Sequence, residues 1–392
     1  MEARTRAYLR GRFGDHYRRV ARSEGITAPP AANEREWGYI PFSSGGTTMV
    51  RHESLLDLTG GAGLGEFLAR ERPRHAYFSA GRYDHPGEDS MGKKGWRGSD
   101  LIFDIDADHL PGVDPETDGY GEMLAAGKAA LVDLLDFVEN DFGFEDVVIV
   151  FSGGRGYHLH VRDPGVQELG RGERREVVDY VRGLGVTFDG LIRRETVEGM
   201  GRKTPADKRT LPTGGGWAAR IHRHLLDLVA ELLAADEGEA IERLREFDGI
   251  GAGKARAALR AARENRAAIE RGNVDIHPAF WLFERVREAD GAPIDEPVTT
   301  DINRLIRLPG SLHGGTGLRV CRIGRNALEG FDPLVDAVAD TFRGNRIMVD
   351  VTEPVSVSLD GGNFNLDAGV QSVPEDLGVF AMARGDAEKA RE

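Results

Sequence analysis

Residues 147–161 read VVIVFSGGRGYHLHV. The first five residues form a short apolar run typical of a buried strand, and residues 157–161 alternate in polarity as a second strand does. The glycine-rich turn between them lets backbone N–H groups approach an anion, and Arg155 adds a planar cation that suits phosphate. The pattern therefore predicts a strand–turn–strand unit that binds phosphate. The alternative is a tight glycine hairpin that carries two exposed histidines, His158 and His160.

A candidate metal site precedes this unit, in a predicted strand over residues 100–106 with the sequence DLIFDID. Successive side chains of a strand point to opposite faces, so Asp104 and Asp106 share one face while Phe103 and Ile105 lie on the other. Two neighbouring carboxylates repel each other, and a fold tolerates them mainly where a divalent cation lies between them. Oxygen ligands at this spacing suit Mg²⁺ or Mn²⁺. The alternative is that the aspartates only cap a turn at the strand end.

A third stretch, residues 294–314, reads IDEPVTTDINRLIRLPGSLHG. The pattern predicts a helix over residues 299–308, which the following proline and glycine end. Asp301 would lie in the first helical turn, where a carboxylate stabilises the helix dipole, and that is a sufficient structural reason for it. Asp295 precedes the helix and has no comparable local role. We therefore name Asp295 as the candidate for a third metal ligand.

The same stretch carries Arg304 and Arg307 on one face of the predicted helix and His313 in the loop that follows. Guanidinium and imidazole groups together suit the phosphates of an incoming nucleotide. The alternative is a capped helix with a solvated arginine face, which fits the pattern equally well.

The composition is acidic and poor in lysine. The chain has 392 residues, a formal net charge of −14 and 51 basic residues, of which only seven are lysine. Nucleic-acid binding normally needs a basic surface, so this charge also fits an acidic protein that never contacts DNA. The composition nevertheless resembles that of proteins from salt-loving archaea. The screening length falls to about 3 Å at 1 M salt, so an arginine-lined groove can act within an acidic surface.

The single cysteine, Cys321, excludes an internal disulfide and any zinc or iron–sulfur site built from several cysteines of this chain. A reducing compartment fits this best. The sequence has no apolar run long enough to span a membrane and no apolar segment after its charged amino terminus. We therefore expect a cytoplasmic protein without membrane contact.

Taken in order, the three stretches resemble the small, catalytic subunit of the archaeal and eukaryotic DNA primases. The family pattern pairs an Asp-x-Asp strand with a Ser-Gly-x-Arg-Gly-x-His turn, and ends in an Asp followed by Arg-Leu-Pro-Gly-Ser-Leu-His. The residues here that match it are Asp104, Asp106, Ser152, Gly153, Arg155, Gly156, His158, Asp295, Arg307, Ser311 and His313. Weaker matches upstream contain Glu36 and Arg51, which by analogy border the nucleotide site.

The resemblance covers about residues 35–330 and implies an α/β (α+β) fold, with a primase catalytic core of mixed sheets flanked by helices. Residues 1–166 would form the first part of this core and residues 272–350 the second part. Residues 167–271, rich in Ala, Leu, Arg and Glu, would form an inserted helical subdomain. We expect residues 351–392 to be a carboxyl-terminal segment with a flexible end.

The resemblance also implies a nucleotidyltransferase that makes short RNA and DNA primers on single-stranded DNA for replication. Asp104, Asp106 and Asp295 would hold two Mg²⁺ or Mn²⁺ ions. The other matching residues would bind the nucleotide: Ser152, Gly153, Arg155, His158, Arg307, Ser311 and His313, with Glu36 and Arg51 at the border. The implied partners are a large iron–sulfur subunit in a heterodimer, the template, NTPs and dNTPs, and the replicative DNA polymerase.

Two departures from the family pattern matter. Many members carry a zinc knuckle after the aspartate strand, but residues 107–150 here contain no Cys and one His, His109, so we predict no structural zinc. The family often has a Lys after the last His, where this chain has residues 314–317, GGTG. Arg319 or Arg322 are candidates to replace that phosphate contact.

Three other functions fit parts of the sequence. A primase-polymerase that acts in repair or end joining would use the same site. A non-catalytic DNA-binding protein is suggested by residues 247–255, FDGIGAGKA, which weakly resemble a helix-hairpin-helix whose backbone amides hold a phosphate. A metal-dependent phosphohydrolase would share the carboxylates but would not explain the arginine and histidine loops.

Overall fold

The computed structural model describes residues 1–23, 25–42, 48–197, 206–247, 249–272 and 296–391. The chain divides into two compact units. The first comprises Met1–Val132, Phe144–Arg175 and Pro293–Glu392, and the second comprises Asp133–Gly143 and Glu176–Ala292. The second unit thus includes residues 133–143, which the sequence analysis assigned to the core, as well as most of the predicted insertion.

The strands in chain order are β1 (Trp37–Ile40), β2 (Val50–Glu53), β3 (His75–Ser79), β4 (Gly81–Tyr83), β5 (Trp96–Ser99), β6 (Leu101–Asp106), β7 (Val147–Phe151), β8 (Gly156–Val161), β9 (Arg193–Val197), β10 (Ala206–Thr210), β11 (Leu305–Arg307), β12 (Cys321–Ile323), β13 (Arg346–Val351), β14 (Val355–Leu359), β15 (Gly362–Leu366), β16 (Gly369–Pro374) and β17 (Ala387–Lys389). Every strand pair in the described ranges is antiparallel.

The α-helices span Ala3–Arg22, Leu55–Thr59, Leu64–Glu71, Met91–Lys94, Tyr120–Asp136, Pro164–Gln167, Arg171–Val181, Phe188–Leu191, Gly216–Ala234, Glu237–Arg245, Ala252–Ile269, Glu296–Thr300, Pro333–Asp336 and Glu375–Arg384. The combination of helices with several small sheets confirms the predicted α/β class. Among the described residues, no helix is both long and apolar enough to cross a membrane.

Two four-stranded sheets form the centre of the first unit, one in the order β11-β3-β1-β2 and the other in the order β12-β7-β8-β6. They meet where the ring of Phe78 on β3 lies 6.4 Å from the ring of His160 on β8. All six residues of β8 are buried, so this strand runs through the core rather than along its surface. The alternative of a hairpin with exposed histidines is therefore wrong, because His158 and His160 are only 5% and 0% exposed.

The prediction of a helix over residues 299–308 is wrong. A short helix, Glu296–Thr300, ends there, and residues 305–307 form β11 instead. β11 pairs with β3, with Ile306 opposite Phe78, and this ladder outweighs the local helical pattern. Asp301 lies in the turn between helix and strand, where its Oδ1 accepts a hydrogen bond from the N–H of Asn303 at 2.9 Å. Its local role is thus to cap a turn, not to start a helix.

Two further expectations need correction. The insertion is not wholly helical, because β9 and β10 pair within it, with Arg194 opposite Arg209. The carboxyl terminus is not frayed up to residue 391, because β17 pairs with β13. The N–H of Lys389 donates to Thr5 at 2.8 Å, so contacts with the amino-terminal helix hold this last strand.

A buried ion pair connects the residues before β1 with the residue that precedes β6. Arg35 and Asp100 lie 2.9 Å apart with side chains only 1% and 2% exposed. Arg35 also donates to the carbonyls of Ser79 and Ala80, so its charge is fully engaged. Because a buried charge is costly without its partner, the fold depends on keeping both members.

We expect Asp100→Asn to lower the free energy of unfolding by ~3–5 kcal/mol, because the change leaves the Arg35 guanidinium buried without a counter-charge. Urea unfolding followed by circular dichroism at constant salt measures this. The matched control is Glu71→Gln, which removes a surface pair with Arg70 whose side chains are 35% and 53% exposed. The control should change stability by less than ~1 kcal/mol. Equal midpoints for the two variants would contradict the prediction.

Candidate active site

One cleft of about 390 Å³ brings together residues from all three sequence stretches. Seven of the predicted site residues line it: Asp104, Asp106, Ser152, Arg155, His158, Arg307 and His313. The sheet topology explains the convergence, because β6 and β8 are neighbours and the loop after β11 reaches the glycine turn that precedes β8.

The two aspartates lie on one face of β6, as the alternation predicts. Antiparallel pairing places Asp104 opposite His158 and Asp106 opposite Gly156 of β8. Burial, together with the neighbouring Asp108 and Asp104 carboxylates, raises the pKa of Asp106 to about 6. The crowding of acidic groups is the arrangement that a divalent cation relieves, so the donor set fits Mg²⁺ or Mn²⁺.

His158 contacts one of these aspartates. Its Nε2 lies 3.3 Å from Oδ1 of Asp104, while its Nδ1 is buried and has no hydrogen-bond partner among the described residues. Burial lowers the pKa of His158 below its ordinary value, so the ring is neutral at pH 7. A neutral ring with its proton on Nε2 can donate to Asp104 and orient that carboxylate.

The glycines of the turn are required by close packing. Gly153 has φ 77°, and a Cβ added there would lie 2.7 Å from the Cβ of His313. A Cβ on Gly156 would lie 2.3 Å from the carbonyl oxygen of Ile105 on β6. Larger residues would therefore push the His313 loop and β6 away from the turn.

Two side chains outside the predicted set hold this turn in place. The hydroxyl of Tyr120 donates to the carbonyl of Gly154 at 2.6 Å, and the hydroxyl of Thr316 donates to the carbonyl of Gly153 at 2.5 Å. Because both carbonyls accept a hydrogen bond from a side chain of the protein, the turn keeps its shape without a ligand. Both side chains line the cleft.

His313 lines the cleft as a neutral imidazole. Its Nδ1 lies 3.3 Å from the backbone nitrogen of Gly315 and 3.2 Å from the hydroxyl of Thr316. Burial, with a further contribution from Arg307, lowers the pKa of His313 well below its ordinary value. A neutral imidazole can donate to a phosphate oxygen without the cost of a buried charge.

The arginines of the cleft differ in how they are engaged. Arg155 lies 2.7 Å from Asp108 and is 48% exposed, so it is anchored but open to solvent. The Nε of Arg307 is buried and has no hydrogen-bond partner among the described residues. A buried donor without an acceptor is costly, and an anion in the cleft would supply one.

Five predicted residues are not in the lining of this cleft: Gly153, Arg51, Ser311, Glu36 and Asp295. Ser311 is buried, and its hydroxyl donates to the carbonyl of Leu308 at 2.7 Å. Glu36 is also buried and is bound by Arg51, His52 and Lys94. Asp295 lies outside the described residues. Within the described ranges, no three His, Cys, Asp or Glu side chains form a group that could hold a metal, so the third ligand stays a prediction.

Glu36 contacts Arg51, a residue of a neighbouring cavity. Burial alone would raise the pKa of its carboxyl, but hydrogen bonds from Lys94 and Arg51 outweigh burial and hold the pKa below its ordinary value. Its charged carboxylate therefore positions Arg51, whose side chain is 44% exposed. Arg51 lines a neighbouring cavity of about 620 Å³, which shares Asp104, His158 and Arg307 with the cleft.

Sequence reasoning missed three cleft residues, namely Tyr120, Thr316 and Arg384. Tyr120 begins the helix Tyr120–Asp136 and Arg384 lies near the carboxyl terminus, and neither position carries a local signal. Thr316 lies in the loop where the family pattern often has Lys. The proposed substitutes for that Lys, Arg319 and Arg322, do not line the cleft.

Comparison with known proteins gives a consistent result. Residues 103–324 match the family model described as DNA primase small subunit. The chain is 62% identical to the DNA primase small subunit PriS of Haloarcula marismortui and to that of Natronomonas pharaonis, over the full length of each chain. The protein of the same name from Methanothrix thermoacetophila is 39% identical over 99% of this chain and all of its own.

The fold, the cleft and these matches define a nucleotidyltransferase, with paired carboxylates beside a glycine-rich turn. The chain belongs to the DNA primase small subunit family, the catalytic subunits of DNA primase. Its composition and its similarity to proteins of Haloarcula and Halobacterium place it with the haloarchaeal members, as the acidic, lysine-poor sequence predicted.

The raised pKa of Asp106 leads to a pH prediction. Because the folded-state pKa, about 6, exceeds the ordinary value of 3.8, the ionised carboxylate destabilises the metal-free fold above pH 6. This penalty disappears as the pH falls from 6 towards 3.8. Mn²⁺ binding, which needs the carboxylate, should weaken below pH 6 and release a proton near that pH. Calorimetry in buffers of different ionisation enthalpy measures the release.

The variant Asp106→Asn separates the titration of Asp106 from that of the other ionisable groups. The variant should raise the melting temperature of the metal-free protein at pH 7 and abolish proton release on Mn²⁺ addition. A variant that melts at a lower temperature than the parent at pH 7 would contradict the destabilisation that the raised pKa of Asp106 predicts.

Proposed function

We propose that the chain synthesises short RNA primers, and extends them or DNA, on a single-stranded DNA template, with nucleotidyl transfer at the cleft described above. The observation that carries this proposal is the convergence of Asp104 and Asp106 with Arg155, Arg307 and His313 around one cavity. A phosphohydrolase would need the carboxylates alone, whereas polymerisation also needs groups that position a triphosphate.

Asp104 and Asp106, with Asp295 as the predicted third ligand, would hold two Mg²⁺ or Mn²⁺ ions. When bound, such ions supply activation of a primer 3′-hydroxyl and stabilisation of the leaving pyrophosphate. The raised pKa of Asp106 supports this, because burial and the neighbouring Asp108 and Asp104 carboxylates all disfavour its negative charge, which a bound cation would compensate.

The chain's own residues position and neutralise the nucleotide. Arg307 and His313 present donors to the phosphates, and the turn around Gly153 offers backbone N–H groups near them. Ser152 lines the same wall of the cleft. His158 would hold Asp104 in the orientation that its carboxylate needs.

Template and primer would use the adjoining cavity of about 620 Å³. Four arginines line it, Arg51, Arg171, Arg304 and Arg307, against two aspartates, Asp104 and Asp301, so it is locally basic within an acidic protein. Contacts of this kind go to the sugar-phosphate backbone, so we expect little sequence preference. Asp104 and His158 line both cavities, so nucleic acid in this one would lie beside the cleft.

A larger subunit would complete the enzyme. The relatives are named as small subunits, a name that implies a larger partner for them. We propose that the partner here is the iron–sulfur large subunit, since the single cysteine of this chain cannot hold such a cluster. The replicative DNA polymerase would then extend the primers. A repair role for the same site is the alternative, but no observation favours it.

Template-directed incorporation by the purified chain tests the proposal. We expect Asp104→Ala and Asp295→Asn to reduce incorporation by ~100-fold or more, the size found when one group that stabilises the transition state is removed. Incorporation of labelled nucleotides on a primed single strand with Mg²⁺ and with Mn²⁺ measures the loss.

Asp301→Asn is the matched control, because the amide oxygen can still accept the hydrogen bond from Asn303 that caps the turn. It should retain most of the activity. If Asp301→Asn abolished incorporation and Asp295→Asn did not, the third ligand would be Asp301. Release of inorganic phosphate without chain growth would instead support a phosphohydrolase.

A further inference from the structure

The carboxyl-terminal helix Glu375–Arg384 brings a cation to the cleft from outside all three sequence stretches. Its last residue, Arg384, lines the same cavity as Asp104, Asp106 and His313. It lies beyond residues 103–324, the part of the chain that the family model matches. The mechanism proposed above does not use it.

The guanidinium group of Arg384 packs against two aromatic rings, and these contacts leave its terminal nitrogens available. Its guanidinium carbon lies 4.7 Å from the ring centroid of Tyr120 and 5.3 Å from that of Phe380. Its Nε donates to Asp386 at 3.0 Å. Its two terminal nitrogens have no hydrogen-bond partner among the described residues. Ring contacts of this kind orient a guanidinium without occupying its edge donors.

The same aromatic residue supports both Arg384 and the glycine turn. Tyr120 carries Arg384 on its ring and donates its hydroxyl to the carbonyl of Gly154. Burial raises the pKa of Tyr120 above its ordinary value, so the hydroxyl stays protonated and keeps this bond. The position of the cation is therefore coupled to the position of the turn.

The helix that presents Arg384 is itself fixed against the His313 loop. A Cβ added to Gly317 would lie only 2.7 Å from Cγ1 of Val379, so helix and loop are in close contact. Residues 377–383 are all buried, and Gly385 ends the helix with φ 94°. The carboxyl end of a helix also favours a cation. Arg384 is thus presented by a rigid support.

The charge of the cleft calls for a ligand with several negative charges. Three arginines line the cleft, Arg155, Arg307 and Arg384, together with Asp104 and Asp106. Arg155 and Arg384 each pair with a further carboxylate, Asp108 and Asp386. With divalent cations on Asp104 and Asp106, these groups together would carry a net positive charge, which only negative charge on a ligand would balance. A polyphosphate supplies that charge, and guanidinium edges match phosphate oxygens.

We infer that Arg384 is a phosphate-binding residue for the polyphosphate of the incoming nucleoside triphosphate, and that it helps the cleft prefer triphosphates over monophosphates. This inference rests on the proposed function of the cleft. It also gives the carboxyl-terminal segment a direct role in substrate binding.

The test compares binding of ATP and AMP to the full chain and to two variants in concentrated KCl. Arg384→Met keeps an apolar stem against Tyr120 and Phe380 but removes the charge, whereas Arg384→Lys keeps the charge. We expect Arg384→Met to weaken ATP binding by ~10-fold or more, as for loss of a charge-assisted hydrogen bond, and to leave AMP binding unchanged. Arg384→Lys should recover part of the loss, and the KM for nucleotide should follow the same order.

The control is Arg346→Gln on β13, where Arg346 donates to Ser372 and does not line the cleft. It should bind both nucleotides as the parent does. If Arg384→Met keeps the parent's ATP affinity while Asp104→Ala loses incorporation, the inference fails and the proposed function stands. An equal loss for ATP and AMP would also overturn the inference, because it indicates a packing defect. A parent chain that neither binds nor incorporates nucleotide would overturn both.

Discussion

The antiparallel pairing of β6 with β8 is the constraint on which the site depends. It sets Asp104 opposite His158 and Asp106 opposite Gly156, and so places the acidic strand directly beside the glycine turn. The approach is so close that the α-carbon of Gly156 has no room for a side chain beside the carbonyl of Ile105. A shift of one residue would move both aspartates to the opposite face, where Phe103 and Ile105 now fill the core.

The electrostatics of the cleft follow from this register. Carboxylates are crowded on β6 with little internal compensation, while arginines and neutral histidines approach from β11, from the turn and from the carboxyl-terminal helix. Cations and a polyphosphate together would neutralise both sets. This local balance resolves the apparent conflict between a net charge of −14 and the handling of nucleic acid, because the charge at the site differs from the charge of the whole surface.

The carboxyl-terminal segment belongs to the structural unit that contains the site. Its last strand pairs with β13 and is tied to the amino-terminal helix, and its helix packs against the His313 loop. The segment therefore supports the cleft through packing as well as through Arg384. Sequence comparison over the three motifs alone would not point to it.

Local patterns in the sequence were sufficient to predict β6, β7 and β8 and the shared face of Asp104 and Asp106, because alternation and apolar runs depend only on neighbouring residues. The motif residues were sufficient to indicate the family. The same patterns failed for residues 305–307, which form a strand only because β3 offers a partner. Likewise, only tertiary packing decided that Glu36 and Ser311 are buried outside the lining of the cleft. Packing also decided that Tyr120 and Arg384 line it. Such placements depend on which distant segments come together, and that information is absent from any local stretch of the chain.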